Sequence, residues 1–425
     1  MMIDLPKLVQ QFGTPLYAYD LSEAREAAEG LRRNLPEGSG LYYSLKANPN
    51  PQVAAAFRRA GCFAEVSSVG ELSSALAAGF LPDQCMYSGP AKSMSEIAVA
   101  VGSGVRRFSV ESPADYQRVA KAAESNGVEA ECLLRITAPA RAGGAALRMT
   151  GGSSQFGHSL NSLEVDPRTF DALPGGRLVG LHFFTISNAA SEAALIAEFA
   201  ASISTAAMIR SEFGLPLRVL DLGGGFAAPF AAFGERAPYP NLVGDLESML
   251  DDQLPGWRVG QPEVVFEAGR RLVATCGVLV CRVQDVKYSQ GRRFVLLESG
   301  VNHLAGLSAT GRLLKPRVDI AVIGQTAESD SVSDGEPATV VGPLCTPADV
   351  LTHAAAFPPV EPGHLVAVPN VGAYGLSASL IGFLSRPMPV EVVVTEEGAV
   401  SASRLDLSRS PVTGAAQERP ERKEV

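Results

Sequence analysis

The segment YYSLKANPN, residues Tyr42 to Asn50, ends a strand-like run on a lysine, Lys46, and follows it with a turn. Three readings of that lysine are open. It is a solvated cation at a strand end, a side chain lying over the edge of a core with its ammonium in water, or an amine held at a barrel mouth to form an imine with an aldehyde cofactor. Other segments carry matching chemistry. DLGGGF puts Gly223, Gly224 and Gly225 after another strand-like run, where bare backbone N–H groups can approach an anion, although a tight turn uses the same glycines. FEAGR sets Glu267 at the end of an apolar run, with Arg270 close behind. A buried carboxylate needs a positive partner, which either a protonated pyridine nitrogen or a structural arginine supplies. Arg270 is a phosphate partner or a surface cation. An imine lysine, a phosphate cup and a pyridine-nitrogen partner are together what pyridoxal 5'-phosphate needs.

These groups sit at the ends of regularly alternating elements. From about Gly40 to Arg270, LYYSLKA, FAEVSS, CMYSGP, RRFSVES, AECLLRIT, RLVGLHFF, LRVLDLGGG and EVVFEAG read as strands. Helical stretches such as NPQVAAAFRRAG, GELSSALAAG, SMSEIAVAVGSG and AALIAEFAASISTAAMIRSEFG lie between them. Such alternation implies parallel strands with crossover helices. About eight strand signals favour a closed (β/α)8 TIM-like barrel over an open doubly wound sheet. Catalytic groups of such barrels stand at the C-terminal strand ends, where Lys46, the glycines, Glu267 and HFFTISN (His182 to Asn188) all fall. Beyond Arg270 the texture turns β-rich, through LVATCGVLVCRVQDV, RRFVLLES, RVDIAVIG, PATVVGP, HLVAVPN and PVEVVVTEEG. The expected organisation is a barrel over residues 30–270 and a β-sandwich or β-barrel domain over 271–408. Residues 1–29, with their own strand PLYAYD, join the β domain, and residues 409–425 form a disordered polar tail. The glycine-rich stretch from Ala138 to Ser154 reads as a loop.

Composition narrows the partners. The 425 residues are 46% hydrophobic, enough for a large core and two domains. A net charge of -9 argues against nucleic acid and anionic membranes. Met1 to Gly13 lacks the apolar core of a signal peptide, and no apolar run reads as long enough to span a bilayer. Cys62, Cys85, Cys132, Cys276, Cys281 and Cys345 are scattered without metal-type CxxC spacing, as are the five histidines. Free thiols in a reducing cytoplasm are expected, and no metal.

The motifs in order resemble the barrel-fold pyridoxal-phosphate decarboxylases, typified by diaminopimelate and ornithine decarboxylases, over about Phe12 to Leu407. YYSLKANPN resembles the family's lysine motif, and EVSSVGEL its second-strand motif with Glu65 at an acidic position. LLRIT carries Arg135 where the family has a site arginine, and SSQFG (Ser153 to Gly157), DLGGGF and FEAGR follow. VVGPLCTPADVL resembles the C-terminal cysteine motif and VGAYG the tyrosine motif. The resemblance implies that Lys46 forms the imine and that Glu267 keeps the pyridine nitrogen protonated. Ser187, Gly223, Gly224, Gly225, Arg270 and Tyr374 hold the phosphate. Cys345, from the partner subunit of a homodimer with shared active sites, protonates the substrate α-carbon after CO2 leaves, and Tyr374 also crosses that interface.

The departures from the family bear on substrate. Its stacking histidine maps onto Phe184, which keeps an aromatic face but loses a hydrogen bond and a charge. The arginine that binds a substrate carboxylate is replaced near Gly306, with Arg312 a candidate substitute. The acidic residue after the motif cysteine is Thr346, with Asp349 the next acidic group at the expected substrate end. A pocket without those partners binds diaminopimelate poorly. ALRMTGGSSQFG, Phe184 and GFLSRPMPVEVVV are similar to the branch that decarboxylates aminoacyl groups tethered to acyl-carrier proteins. The implied activity is decarboxylation of an amino acid or carrier-tethered aminoacyl group in specialised biosynthesis. A free amino acid decarboxylase, a racemase on the same barrel and a non-catalytic regulatory homologue are the competing readings.

Overall fold

The computed structural model describes residues 3–137, 145–148, 155–165, 167–304, 318–324 and 335–409. Helix Leu5–Phe12, N-capped by the Asp4 side chain, leads into strand β1 (Leu16–Asp20). The barrel strands follow: β2 (Gly40–Ser44), β3 (Phe63–Val66), β4 (Cys85–Tyr87), β5 (Arg107–Val110), β6 (Ala130–Thr137), β7 (Gly176–Phe183), β8 (Val219–Asp221) and β9 (Glu263–Ala268). Each is parallel to its neighbour, and β9 pairs back onto β2 from Val265 opposite Gly40 to Ala268 opposite Tyr43. The ring is therefore closed, as the alternation predicts, and all eight strands fall on the segments read as strands.

Local chemistry starts the crossover helices. In NPNP the Asn50 side chain accepts the N–H of Gln52, and Pro51 opens helix Pro51–Arg59 where its missing donor costs nothing. Ser68, Ser93, Ser112 and Ser191 cap the later helices in the same way. The outer faces of the strands bury aromatic rings against these helices. Tyr43 stacks on Phe57 at 4.2 Å, and Phe199 meets Phe266 edge-on at 5.5 Å. A fully buried side chain of this size contributes roughly 1.5–3 kcal/mol. Helix Glu192–Phe213 is long and apolar enough by length and composition to cross a bilayer, contrary to the expectation from sequence. It turns Leu195, Phe199, Ile203, Ala206 and Ile209 into the core.

Inside the barrel, Tyr42, Met86, Leu133, Val179, Val219 and Val265 pack together against Phe63 as an apolar floor. Side chains alternate along a strand, so the residues two positions on share that interior one layer nearer the C-terminal mouth. That layer holds the chemistry.

The second unit contains β10 (Gly277–Ser289), β11 (Arg292–Leu297), β12 (Pro337–Val341), β13 (Val350–Ala356), β14 (Leu365–Val368), β15 (Val390–Val394) and β16 (Val400–Ser403). With β1 and the short strand Ala321–Val322 they form one nine-stranded mixed sheet among the described residues. Strand β1 lies between β10, antiparallel, and β15, parallel, which draws the N-terminal segment into this sheet. Four details differ from the sequence reading. LVATC is not strand, because helix Arg270–Val273 takes in its Leu272 and Val273 and β10 begins only at Gly277. RVDIAVIG contributes only Ala321–Val322. Strands β13 and β16 carry too many small and polar residues to register as strands. The expected tail beyond Arg409 and most of the glycine-rich stretch lie outside the described residues, although Ala145–Arg148 pairs with a short strand at Ile186–Ala189.

Candidate active site

Every barrel strand delivers one buried polar residue to the layer above the apolar floor: Ser44, Glu65, Ser88, Ser109, Arg135, His182, Asp221 and Glu267. The ladders set them side by side, with Ser44 opposite Glu65, Arg135 opposite His182, and His182 opposite Asp221. Such a ring inside a core is costly unless its members satisfy one another or a ligand.

Lys46 rises from the 3-10 turn Leu45–Ala47 that follows β2. Its Nζ donates to Glu65 Oε2 at 2.9 Å and to Oε1 at 3.1 Å. The Ser88 and Ser67 hydroxyls also donate to Glu65 Oε1, the second at 3.3 Å. Glu65 is fully buried, whereas the Lys46 side chain keeps 36% exposure, so its amine is reachable from the mouth. Burial pulls the Lys46 ammonium down, but Glu65, Glu267 and Tyr374 outweigh it and the pKa is raised. Burial pushes Glu65 up, and Lys46 with the Ser88 and Ser44 hydroxyls reverses this, leaving it lowered. The lysine is thus stored as an ammonium with a proton acceptor against it.

Phe184, just past β7, lies between two cations, its ring centre 5.4 Å from Lys46 Nζ and 5.8 Å from the Arg135 guanidinium. Arg135 donates to Glu111 Oε1 at 2.9 Å. Opposite, His182 Nε2 stands 3.4 Å from Glu267 Oε1, and His182 Nδ1 is 2.7 Å from Ser109 Oγ. Burial, then the charges of Glu65 and Asp221, hold Glu267 well above the usual carboxylate range. Glu267 Oε1 is buried without a hydrogen-bond partner.

The glycine run follows β8. Gly223 has φ +67°, and a Cβ there would meet the Phe183 carbonyl oxygen at 2.1 Å. A Cβ on Gly224 would meet the Glu267 carbonyl oxygen at 2.5 Å. Side chains are thereby excluded and backbone lines the loop. Ser187 lies on Ile186–Ala189, and the Ala189 N–H donates to the Gly225 carbonyl at 2.8 Å, tying that strand to the glycines. Arg270 packs over the Tyr374 ring at 4.8 Å, and the Tyr374 N–H donates to the Ala47 carbonyl at 2.8 Å. Tyr374 therefore has its backbone tied to the Lys46 turn of its own chain.

The substrate-end residues come out differently. Cys345 is an exposed free thiol on the loop between β12 and β13. Asp349, expected to meet substrate, is buried. Its Oδ1 accepts the Val301 N–H at 2.8 Å and its Oδ2 the Leu344 N–H at 2.7 Å. It braces the cysteine loop, with both carboxylate oxygens turned onto backbone donors inside the fold. Thr346 accepts the Ala348 N–H at 3.2 Å within its own turn. Arg312 and Gly306 lie outside the described residues. A groove of about 850 Å³ between Glu23, Glu26, Arg33, Arg236 and Asn370 shares no residue with the polar ring, so volume does not locate the chemistry.

Sequence reasoning did not assign His182, Asp221, Ser44, Ser88, Ser109 or Glu111 to the site. A signal was present for Ser44, Ser88 and Asp221, which stand two residues beyond the floor residues Tyr42, Met86 and Val219. Pyridoxal phosphate fits what is here, namely a reachable amine, an unpartnered buried carboxyl oxygen and a side-chain-free loop beside Ser187.

Comparison with known proteins agrees. The profile of the pyridoxal-dependent decarboxylase pyridoxal-binding domain matches residues 21–274. The L-glutamyl-[BtrI acyl-carrier protein] decarboxylase of Niallia circulans is 30% identical over 390 residues, 92% of this chain and 91% of that one. A 2-[(L-alanin-3-ylcarbamoyl)methyl]-2-hydroxybutanedioate decarboxylase of Staphylococcus aureus is 28% identical, over 89% and 94% of the two chains. The crystal structure of Helicobacter pylori diaminopimelate decarboxylase complexed with L-lysine superposes with a TM-score of 0.79 at 26% identity, covering 94% of this chain and 95% of the other. With its closed barrel, its lysine-centred polar ring and these relatives, the chain belongs to the pyridoxal-dependent decarboxylase family.

Proposed function

We propose that this enzyme decarboxylates an aminoacyl group carried on an acyl-carrier protein in a specialised biosynthetic route, with Lys46 as the amine that anchors pyridoxal phosphate. The carrying observation is Asp349. The acidic side chain nearest the motif cysteine is buried against two backbone donors, and Thr346 is turned into its own loop. The cysteine loop therefore presents no carboxylate to a distal ammonium of the kind diaminopimelate has. The Niallia circulans relative, whose name specifies a carrier-linked glutamyl substrate, supports the same reading.

The cofactor supplies an electron-accepting ring for the carbanion left when CO2 departs. The chain's own residues do the rest. Glu65 holds the Lys46 amine at the mouth. Glu267 would pair with the pyridine nitrogen and favour a proton there. Gly223, Gly224, Gly225, Ser187, Arg270 and Tyr374 would hold the phosphate, and Phe184 would offer an uncharged face to the ring. Arg135 is kept beside Phe184 by Glu111. We assign Cys345, on an exposed loop, to the active site of a second subunit in a homodimer, where its thiol returns a proton to the substrate α-carbon.

The test is CO2 release from a panel of free amino acids and the same amino acids loaded as thioesters on a carrier protein. Turnover of loaded substrates, glutamyl among them, with little from the free acids is the expected result. Turnover of diaminopimelate or another free amino acid alone removes the tethered substrate from the proposal.

A further inference from the structure

Three buried polar atoms in the ring have no hydrogen-bond partner: His182 Nε2, Asp221 Oδ2 and Glu267 Oε1. One nitrogen or oxygen of each residue lies within 4.8 Å of those of the other two. None of the three residues is more than 2% exposed. Their backbone ladders set His182 opposite Asp221. Two further contacts bear on which way the side chains are committed. Ser109 Oγ lies 2.7 Å from His182 Nδ1, and a hydroxyl donating there leaves the hydrogen of a neutral imidazole on Nε2. Asp221 Oδ1 accepts the Gly223 N–H at 2.8 Å, which leaves Oδ2 as the oxygen able to carry a proton.

We propose that His182 and Asp221 are positioning residues for Glu267, the first as its Nε2–H tautomer and the second as a neutral acid. Both donate hydrogen bonds to Glu267, so that Glu267 alone of the three carries the negative charge facing the cofactor's pyridine nitrogen. This rests on the reading of Glu267 as the partner of that nitrogen. Two protons then satisfy all three orphan atoms, and the carboxylate is held from behind in one orientation. Second-layer donors of this kind fix the geometry of a reacting group without touching it.

The surrounding charges agree with that assignment for His182 and Asp221, and for Glu267 once a cation faces it. Burial holds His182 well below the usual imidazole range, with Arg135, Lys46 and Lys92 acting in the same direction. Burial pushes Asp221 up to about 7, opposed by the Gly223 N–H, reinforced by Glu65, and opposed by Arg107 and Arg135. Burial, Glu65 and Asp221 raise Glu267 and Lys46 and Arg135 oppose them, and a further cation facing it favours its ionised form. The same three atoms could instead hold a divalent cation, with His182 neutral and both carboxyl groups ionised. That arrangement has no protonated acid, which separates the two cases.

Two spectroscopic readings test the proposal. Nitrogen-15 NMR of histidine-labelled protein, with and without pyridoxal phosphate, reports the tautomer of His182, its resonance assigned from His182→Gln. Infrared difference spectra of the cofactor-bound protein at mildly acidic pH report protonated carboxyl groups. The expected result is an Nε2–H imidazole that does not titrate where ordinary histidines do, and an acid band that vanishes in Asp221→Asn. His182→Gln and Asp221→Asn keep a donor toward Glu267 and retain cofactor affinity, whereas His182→Asn and Asp221→Leu weaken it about tenfold. A titrating His182, an Nδ1–H tautomer, a missing acid band or equal affinities across the four variants overturns the proposal. So does a stoichiometric divalent metal whose chelation shifts the His182 resonance. Unchanged cofactor affinity and spectrum in Glu267→Gln would instead defeat the reading of Glu267 itself.

Discussion

Lys46 and Glu65 set each other's charge, and Asp221 and Glu267 are the residues whose charge the fold suppresses. The suppression has a consequence for stability. Asp221 is raised from 3.8 to about 7 in the folded chain, while in the unfolded chain it loses its proton near 3.8. Between those values the folded state holds a proton that the unfolded state has released, so stability is fully present below about 3.8 and declines as pH rises toward 7. Glu267 and Glu71, the latter pushed up to about 7 by burial, act in the same direction. The cofactor-free Asp221→Asn protein is therefore expected to lose less stability than wild type across that window, measured as urea midpoints at stepped pH. An unchanged slope would mean that Asp221 ionises normally. Gly223→Ala places a methyl against the Phe183 carbonyl at a φ of +67°. It should cost about 1–3 kcal/mol in unfolding free energy and lower cofactor affinity. Wild-type values on both counts would contradict the glycine cradle.

At the scale of elements, the strand-to-loop transitions carry the site, and these were the most legible parts of the sequence. A lysine after YYSL, a carboxylate closing EVVFEA and three glycines after LRVLD are each local events readable without tertiary information. The polar ring was harder to see, because Ser44, Ser88 and Ser109 look like ordinary strand-end serines until barrel closure shows that they face inward. Asp349 was misplaced for the opposite reason: an acidic residue in an exposed-looking loop was taken to face substrate, but the loop folds back over it. The brace it makes is testable. Asp349→Ala strands the N–H groups of Val301 and Leu344, at about 1–3 kcal/mol each, and loosens the loop that presents Cys345. Lower thermal stability and faster thiol labelling at Cys345 are expected together. A stable protein with unaltered labelling would show that Asp349 is not the brace.

At the scale of the molecule, the eight strand signals favoured the barrel, and the pairing of β9 with β2 closes it. The β sheet resisted reading because its order, with β1 inserted between β10 and β15, depends on pairings far apart in sequence. The proposed exchange of Cys345 between subunits is a whole-molecule property as well. Mixing Lys46→Ala with Cys345→Ala protein should restore about a quarter of wild-type CO2 release, because half of the dimers are mixed and each mixed dimer has one intact site. No restoration would place Cys345 in its own chain's site or outside the chemistry. The central claim, that Lys46 is the amine binding the cofactor, is tested most directly by borohydride reduction of the pyridoxal-phosphate-loaded protein followed by peptide mass mapping. One stable pyridoxyl adduct is expected on the peptide containing Lys46, absent from Lys46→Ala. An unlabelled protein, or a label on another lysine such as Lys92, would contradict it.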